Sequence, residues 1–193
     1  MRIHGKFKIK RREIKISHWE KHKTQVEEDF FGICGYCGNH LKATYCQSQI
    51  DHFVPQKKYP EYKNKYSNLV FSCKVCNNKK RDDWPSGDPS KNITDDGKKG
   101  YIDPASDEYD ANLERCNDGN IVGISEVGKY MANRLGFNYR PISEIHKIGE
   151  LYEAIQNLRS KREQGDLDYD SELLNELFIT CEDLRNQIHM EKE

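Results

Sequence analysis

Two C-x-x-C pairs constrain this chain more than any other feature. Cys34 and Cys37 form the first and Cys73 and Cys76 the second, with residues 38–72 between them. Two such pairs suit a four-thiolate structural zinc site, whereas a redox role needs only one pair. Closing that site clasps the intervening segment into one small unit. Cys46, Cys116 and Cys181 are isolated and read as plain thiols. The total of seven is odd, and "MRIHGKFKIKRREIKI" has no apolar signal segment, so a disulfide framework is not expected.

At 193 residues the chain suffices for one well-cored domain with a small appended region. Hydrophobic residues make up 35% and charged residues 33%, which predicts a thin core that gains from a metal or a partner. No run approaches the ~18–20 apolar residues that span a bilayer, so a cytoplasmic protein without membrane contact is expected. The net charge of -1 hides an asymmetry. Residues 1–81 hold 18 Lys and Arg against 7 Asp and Glu; residues 82–193 hold 13 against 25. The basic half is an electrostatic footprint for a polyanion, and the acidic half repels one. The plain rival is that the two halves attract each other or another protein.

Along the chain, residues 1–16 alternate apolar and basic, as a strand or a disordered arm whose cations can reach phosphates. Ser17 and Glu20 fit a capping box for a helix over about 18–31, stopped by Gly32. Residues 43–54 read as a strand with a hairpin partner upstream, and 55–67 as a basic, Tyr-rich loop. "NLVFSCKVCNNKK" reads as a short helix with Asn68 as N-cap and Leu69, Val70, Cys73 and Cys76 facing inward. Residues 82–100 read as a long loop, and 103–114 as a solvated acidic one. "NLERCNDGNIVGI" predicts a hairpin turning at 117–119. Helices follow over about 125–135, 143–164 and 171–190, the last two joined by an acidic connection.

"IDHFVP" places Asp51 and His52 between the two cysteine pairs, and the second pair runs into Asn77. Zinc closure would set a strand end carrying a carboxylate and an imidazole against a helix carrying a carboxamide. Asp and Asn oxygens suit a hard cation such as Mg²⁺, and a neutral imidazole beside it can take a proton from water near pH 7. That is a minimal kit for metal-assisted phosphodiester hydrolysis.

"IDHFVP" followed by "NLVFSCKVCNNKK", flanked by paired C-x-x-C, resembles the zinc-stapled branch of the HNH endonucleases. Asn77 stands where many members have His. The resemblance implies an α+β fold: a ββα-metal core stapled by four cysteines, with an N-terminal helix and a mainly helical C-terminal region. It implies His52 as general base, Asp51 and Asn77 as ligands of catalytic Mg²⁺ or Mn²⁺, and Asn68 as the residue that orders the loop and aims His52. Cys34, Cys37, Cys73 and Cys76 would hold structural Zn²⁺. DNA would be cut to 5′-phosphate and 3′-hydroxyl ends.

Lys57, Lys58, Lys79, Lys80 and Arg81 are the expected phosphate contacts; the plain rival for Lys79, Lys80 and Arg81 is favourable charge at a helix C-terminus. The segments divide into an arm and helix (1–33), the nuclease core (34–82), a loop and hairpin (83–124) and a helical region for partner docking (125–193). A weaker similarity, carried by "YPEYKNKYSNLVFSCKVCNNKK", "YIDPASDE" and "SEVGKYMANRLGFN", is to retron-associated and Septu-type antiphage nucleases. It implies an ATPase partner in a defence complex, although "DHFVPQ" departs from the "DHFRPK" usual there. A zinc-stapled nucleic-acid-binding module, or a regulatory subunit without independent catalysis, remains the alternative.

Overall fold

Ile3 and Ile9 bring the N-terminal arm into the core, so residues 1–16 form neither a strand nor a loose tail. Arg115, 2% exposed, donates to the carbonyls of Ile3, Cys37 and Gly119, tying the arm to the first cysteine turn and to a later hairpin. The computed structural model describes residues 1–88, 93–164 and 171–190. The expected helix over 18–31 is shorter and broken. A 3-10 turn, Trp19–His22, precedes α1, Lys23–Asp29. His18 and His22 hold the two N-cap positions, and neither makes a side-chain cap bond, so the Ser17–Glu20 capping box does not form. Packing decides here: Val26 and Phe30 are buried, while Trp19 turns toward the ring of His52.

The strand expected over 43–54 is confined to β1, Ser48–His52, and its partner lies downstream. That partner is β2, Leu69–Cys73, paired antiparallel with Asp51 opposite Val70 and His52 opposite Leu69. The helix expected from Asn68 therefore begins later, as α2, Lys74–Lys80. An apolar run this short fits either period, and all five residues of β2 are buried, as suits a strand covered on both faces. Cys73, not Asn68, is the N-cap of α2; its Sγ accepts from Cys76 N at 3.3 Å.

Beyond the described part of the 82–100 loop, from which residues 89–92 are excluded, comes a one-turn helix, α3, Tyr109–Asn112. The acidic stretch around it is structural as well as solvated: Asp103 pairs with Arg11, Asp110 accepts from Ile3 N, and Tyr109 is buried. The hairpin of β3, Leu113–Arg115, and β4, Ile121–Gly123, turns as expected, with Gly119 at φ +93°. Helix α4, Glu126–Arg134, is capped by Ser125, whose Oγ accepts from Gly128 N at 2.9 Å. Helices α5, Ile142–Glu163, and α6, Ser171–Met190, match the expected pair; most of their acidic connection, residues 165–170, lies outside the described residues.

One apolar core runs from Ile3 to Ile142, and a second joins Ile145, Ile148 and Ile155 of α5 to Cys181 and Ile188 of α6 over Ala43. Among the described residues no helix is long and apolar enough to cross a membrane.

Candidate active site and metal centre

Cys34, Cys37, Cys73 and Cys76 are all buried, and their sulfurs lie within 4.8 Å of one another. A tetrahedral site with Zn–S bonds of about 2.3 Å needs S···S edges of about 3.8 Å, and Cys37 and Cys73 stand 4.0 Å apart. The donor set and spacing therefore fit a structural zinc. Gly38 completes the first turn at φ +67°; a Cβ there would sit 2.4 Å from the Ile3 carbonyl. Arg140, from the α4–α5 connection, donates to Cys76 Sγ at 3.2 Å and Cys73 Sγ at 3.8 Å. Burial alone would lower its pKa, but the thiolates of Cys76, Cys37 and Cys73 outweigh that and hold it above the usual arginine value.

The cysteine cluster joins the Cys34–Cys37 turn to the β2–α2 junction, and the antiparallel ladder sets β1 beside β2. At the end of β1 a cavity of about 310 Å³ is lined by Asp51, His52, Gln56, Lys57, Asn77 and Arg81, among others. Asp51 is buried, and its Oδ2 accepts from Tyr36 OH at 2.5 Å and from Lys80 Nζ at 3.0 Å. Among the described residues no partner meets its Oδ1. Asn77 Nδ2 donates to Gln49 Oε1 at 2.6 Å, which leaves the amide carbonyl for another partner. One carboxylate oxygen and one amide oxygen on a shared cavity are hard donors that fit Mg²⁺ or Mn²⁺.

His52 is 5% exposed, and its Nε2 lies 2.9 Å from the Lys63 carbonyl. A carbonyl only accepts, so Nε2 carries the proton and the neutral ring keeps its lone pair on Nδ1. Trp19 packs edge-on against the ring, centroids 5.1 Å apart. Burial pulls the imidazole pKa below its ordinary 6.5, more strongly than the Lys63 carbonyl and Asp51 raise it. Asn68, fully buried, clamps the exit of β1: its Oδ1 accepts from Val54 N at 2.8 Å, and its Nδ2 donates to Val54 O at 3.0 Å and Tyr62 O at 3.3 Å.

The expected phosphate contacts are dispersed. Lys57 and Arg81 line the cavity; Lys57 pairs with Asp82 at 3.3 Å, and Arg81 Nε donates to Asn78 O. Lys58 is exposed, and Lys79 Nζ rests on Tyr139, 3.2 Å from its hydroxyl. Lys80 corrects the expectation. It is 0% exposed and bridges Asp51 Oδ2 to the His52 carbonyl, so it cannot meet a phosphate from solvent. Tyr36, Gln49, Lys63 and Arg140 were not singled out from sequence. One signal pointed at Gln49, which shares a strand face with Asp51 by the period of two; for Lys80, sharing a helix face with Asn77 by the (i, i+3) rule pointed to an inward role rather than a phosphate contact.

Residues 34–83 match the family model described as HNH endonuclease, which indicates a nuclease domain spanning the cysteine cluster and the cavity. No curated protein and no solved structure matches the chain.

Proposed function

We propose that this protein is a metal-dependent HNH endonuclease that hydrolyses DNA phosphodiester bonds, with β1, β2 and α2 as its ββα-metal core. The observation that carries this reading is the cavity shared by Asp51, His52 and Asn77, with the His52 tautomer set by Lys63. His52 Nδ1 takes a proton from the attacking water, and the Nε2–H bond to Lys63 O steadies the resulting imidazolium. Asn68 holds the chain just beyond His52 and keeps the ring on target. Asp51 and Asn77 would hold Mg²⁺ or Mn²⁺, which supplies positive charge for the oxyanion that develops on the leaving 3′ oxygen. Lys80 and Tyr36 orient Asp51 by occupying one of its oxygens. The cysteine cluster, as a zinc site, holds the strands and helix in register.

We extend the reading to an effector that works beside a partner ATPase in antiphage defence. Its support is the resemblance of the sequence to such nucleases, together with Leu173, Phe178 and Ile179 standing exposed on α6.

Plasmid nicking tests the core of the proposal. Cleavage should require Mg²⁺ or Mn²⁺ and stop with EDTA. His52→Ala should lower the rate by ~10²–10⁴ with DNA binding and zinc content retained. Binding by the wild type without cleavage under any divalent cation would leave a binding module instead.

A further inference from the structure

We infer that the groove between the N-terminal arm and the 64–67 turn is the track along which the phosphate backbone of DNA approaches the His52 cavity. This rests on the nuclease reading above and assigns its substrate a path. The groove encloses about 910 Å³ and is lined by Lys10, Arg11, Arg12, Lys15, Asn64 and Lys65, among others.

The ion pairs along the arm set these residues apart. Lys6 pairs with Glu153, Lys8 with Asp107, Arg11 with Asp103, and Arg12 with Glu28 and Asp29. Arm cations are thus mostly neutralised within the fold. Lys10, Lys15 and Lys65 are exposed and meet no carboxylate among the described residues; the other charged residues of the lining are the paired Arg11 and Arg12 and a single acid, Glu13. Lys65 Nζ rests 3.9 Å from the Tyr62 ring centroid, which does not cancel its charge. Cations without a carboxylate partner, gathered on one concave surface, leave a charge that an external polyanion neutralises.

The groove also lies beside the chemistry. Lys15 and Lys65, both lining the groove, are joined by an antiparallel backbone bridge. Asn64 Oδ1 accepts from Trp19 N at 3.3 Å, Trp19 packs on the His52 ring, and the Lys63 carbonyl holds His52 Nε2. A single stretch, residues 63–65, therefore borders the groove and positions the imidazole. The loop that contains it begins at Pro55, Gln56 and Lys57, which line the catalytic cavity.

The test is the salt dependence of binding by the full-length, zinc-loaded protein to a mixed-sequence DNA duplex in buffer without Mg²⁺ or Mn²⁺, read by fluorescence anisotropy. Each lost phosphate contact removes about 0.9 from the slope of log K against log salt. The triple variant Lys10→Gln, Lys15→Gln, Lys65→Gln should lose about 2–3 from that slope and bind about tenfold or more weaker at moderate salt. A control that removes like charges elsewhere, Lys98→Gln with Lys99→Gln, should keep the wild-type slope. An unchanged slope in the triple variant, an equal loss in the control, or a wild type that does not bind the duplex overturns the assignment. Failure of the nuclease reading shows separately, as DNA binding with no Mg²⁺- or Mn²⁺-dependent cleavage by the wild type.

Discussion

Lys80 Nζ lies 3.0 Å from Asp51 Oδ2, with the side chains 0% and 7% exposed, and the same ammonium donates to the His52 carbonyl at 3.0 Å. A buried cation thus fixes both halves of the Asp-His dipeptide. Removing one partner of a buried pair strands the other charge, at a cost of about 3–5 kcal/mol. Lys80→Met should therefore lower unfolding free energy by several kcal/mol in urea titrations. Adding Asp51→Leu should recover much of that loss while abolishing cleavage, since it removes a proposed metal ligand. A Lys80→Met protein as stable as wild type would contradict the buried pair.

Gln49 holds the Asn77 amide nitrogen at 2.6 Å and so decides which end of the amide faces the cavity. Gln49→Met removes that acceptor, and Gln49→Glu keeps one. Loss of an outer-shell orienting bond costs roughly 10–100-fold in metal affinity. Calorimetric titration of Mn²⁺ should show this weakening for Gln49→Met and not for Gln49→Glu, with DNA affinity in the absence of Mg²⁺ and Mn²⁺ unchanged. Equal Mn²⁺ binding by all three proteins would remove Gln49 from the site.

Burial depresses the His52 pKa below 6.5. A general base works unprotonated, so activity is lost only as pH falls through that lowered value. The acid limb of kcat/KM should have its midpoint below 6.5, with more than half the plateau rate remaining at that pH. Trp19→Ala opens the ring to water and should move the limb upward. Rates measured from about pH 5 to 8 decide the matter; a midpoint at or above 6.5 in wild type would refute it.

Arg140 reaches the sulfurs of Cys76 and Cys73 from outside residues 34–83. Structural zinc contributes on the order of 10 kcal/mol to small domains, so Cys73→Ser should unfold the region around β1, β2 and α2. Arg140→Met should keep the fold but release zinc to a competing chelator at roughly tenfold lower chelator concentration. Elemental analysis finding no zinc in the wild-type protein would defeat both expectations.

The clustering of four cysteines was legible because a C-x-x-C turn brings its two sulfurs together locally, and only one closure joins two such turns. The β3–β4 hairpin, the span of α4 and helices α5 and α6 were legible for a similar reason: turn chemistry and apolar periods are local signals. Residues 69–73 were misread as helix because Leu69, Val70 and Cys73 satisfy either period over so short a run. Burial on both faces, which comes from the rest of the chain, made them a strand. The partners of the site lie beyond the reach of local rules. Lys80 reads as a surface cation until α2 is laid against β1, where a carboxylate and a carbonyl replace its water. Lys63 acts through a backbone carbonyl, which no side-chain pattern encodes, and Arg140 comes from 64 residues beyond the cysteine it contacts. Spacing fixes which groups can meet locally. Desolvation, which depends on the assembled core, settles which of them stay charged, buried and aimed.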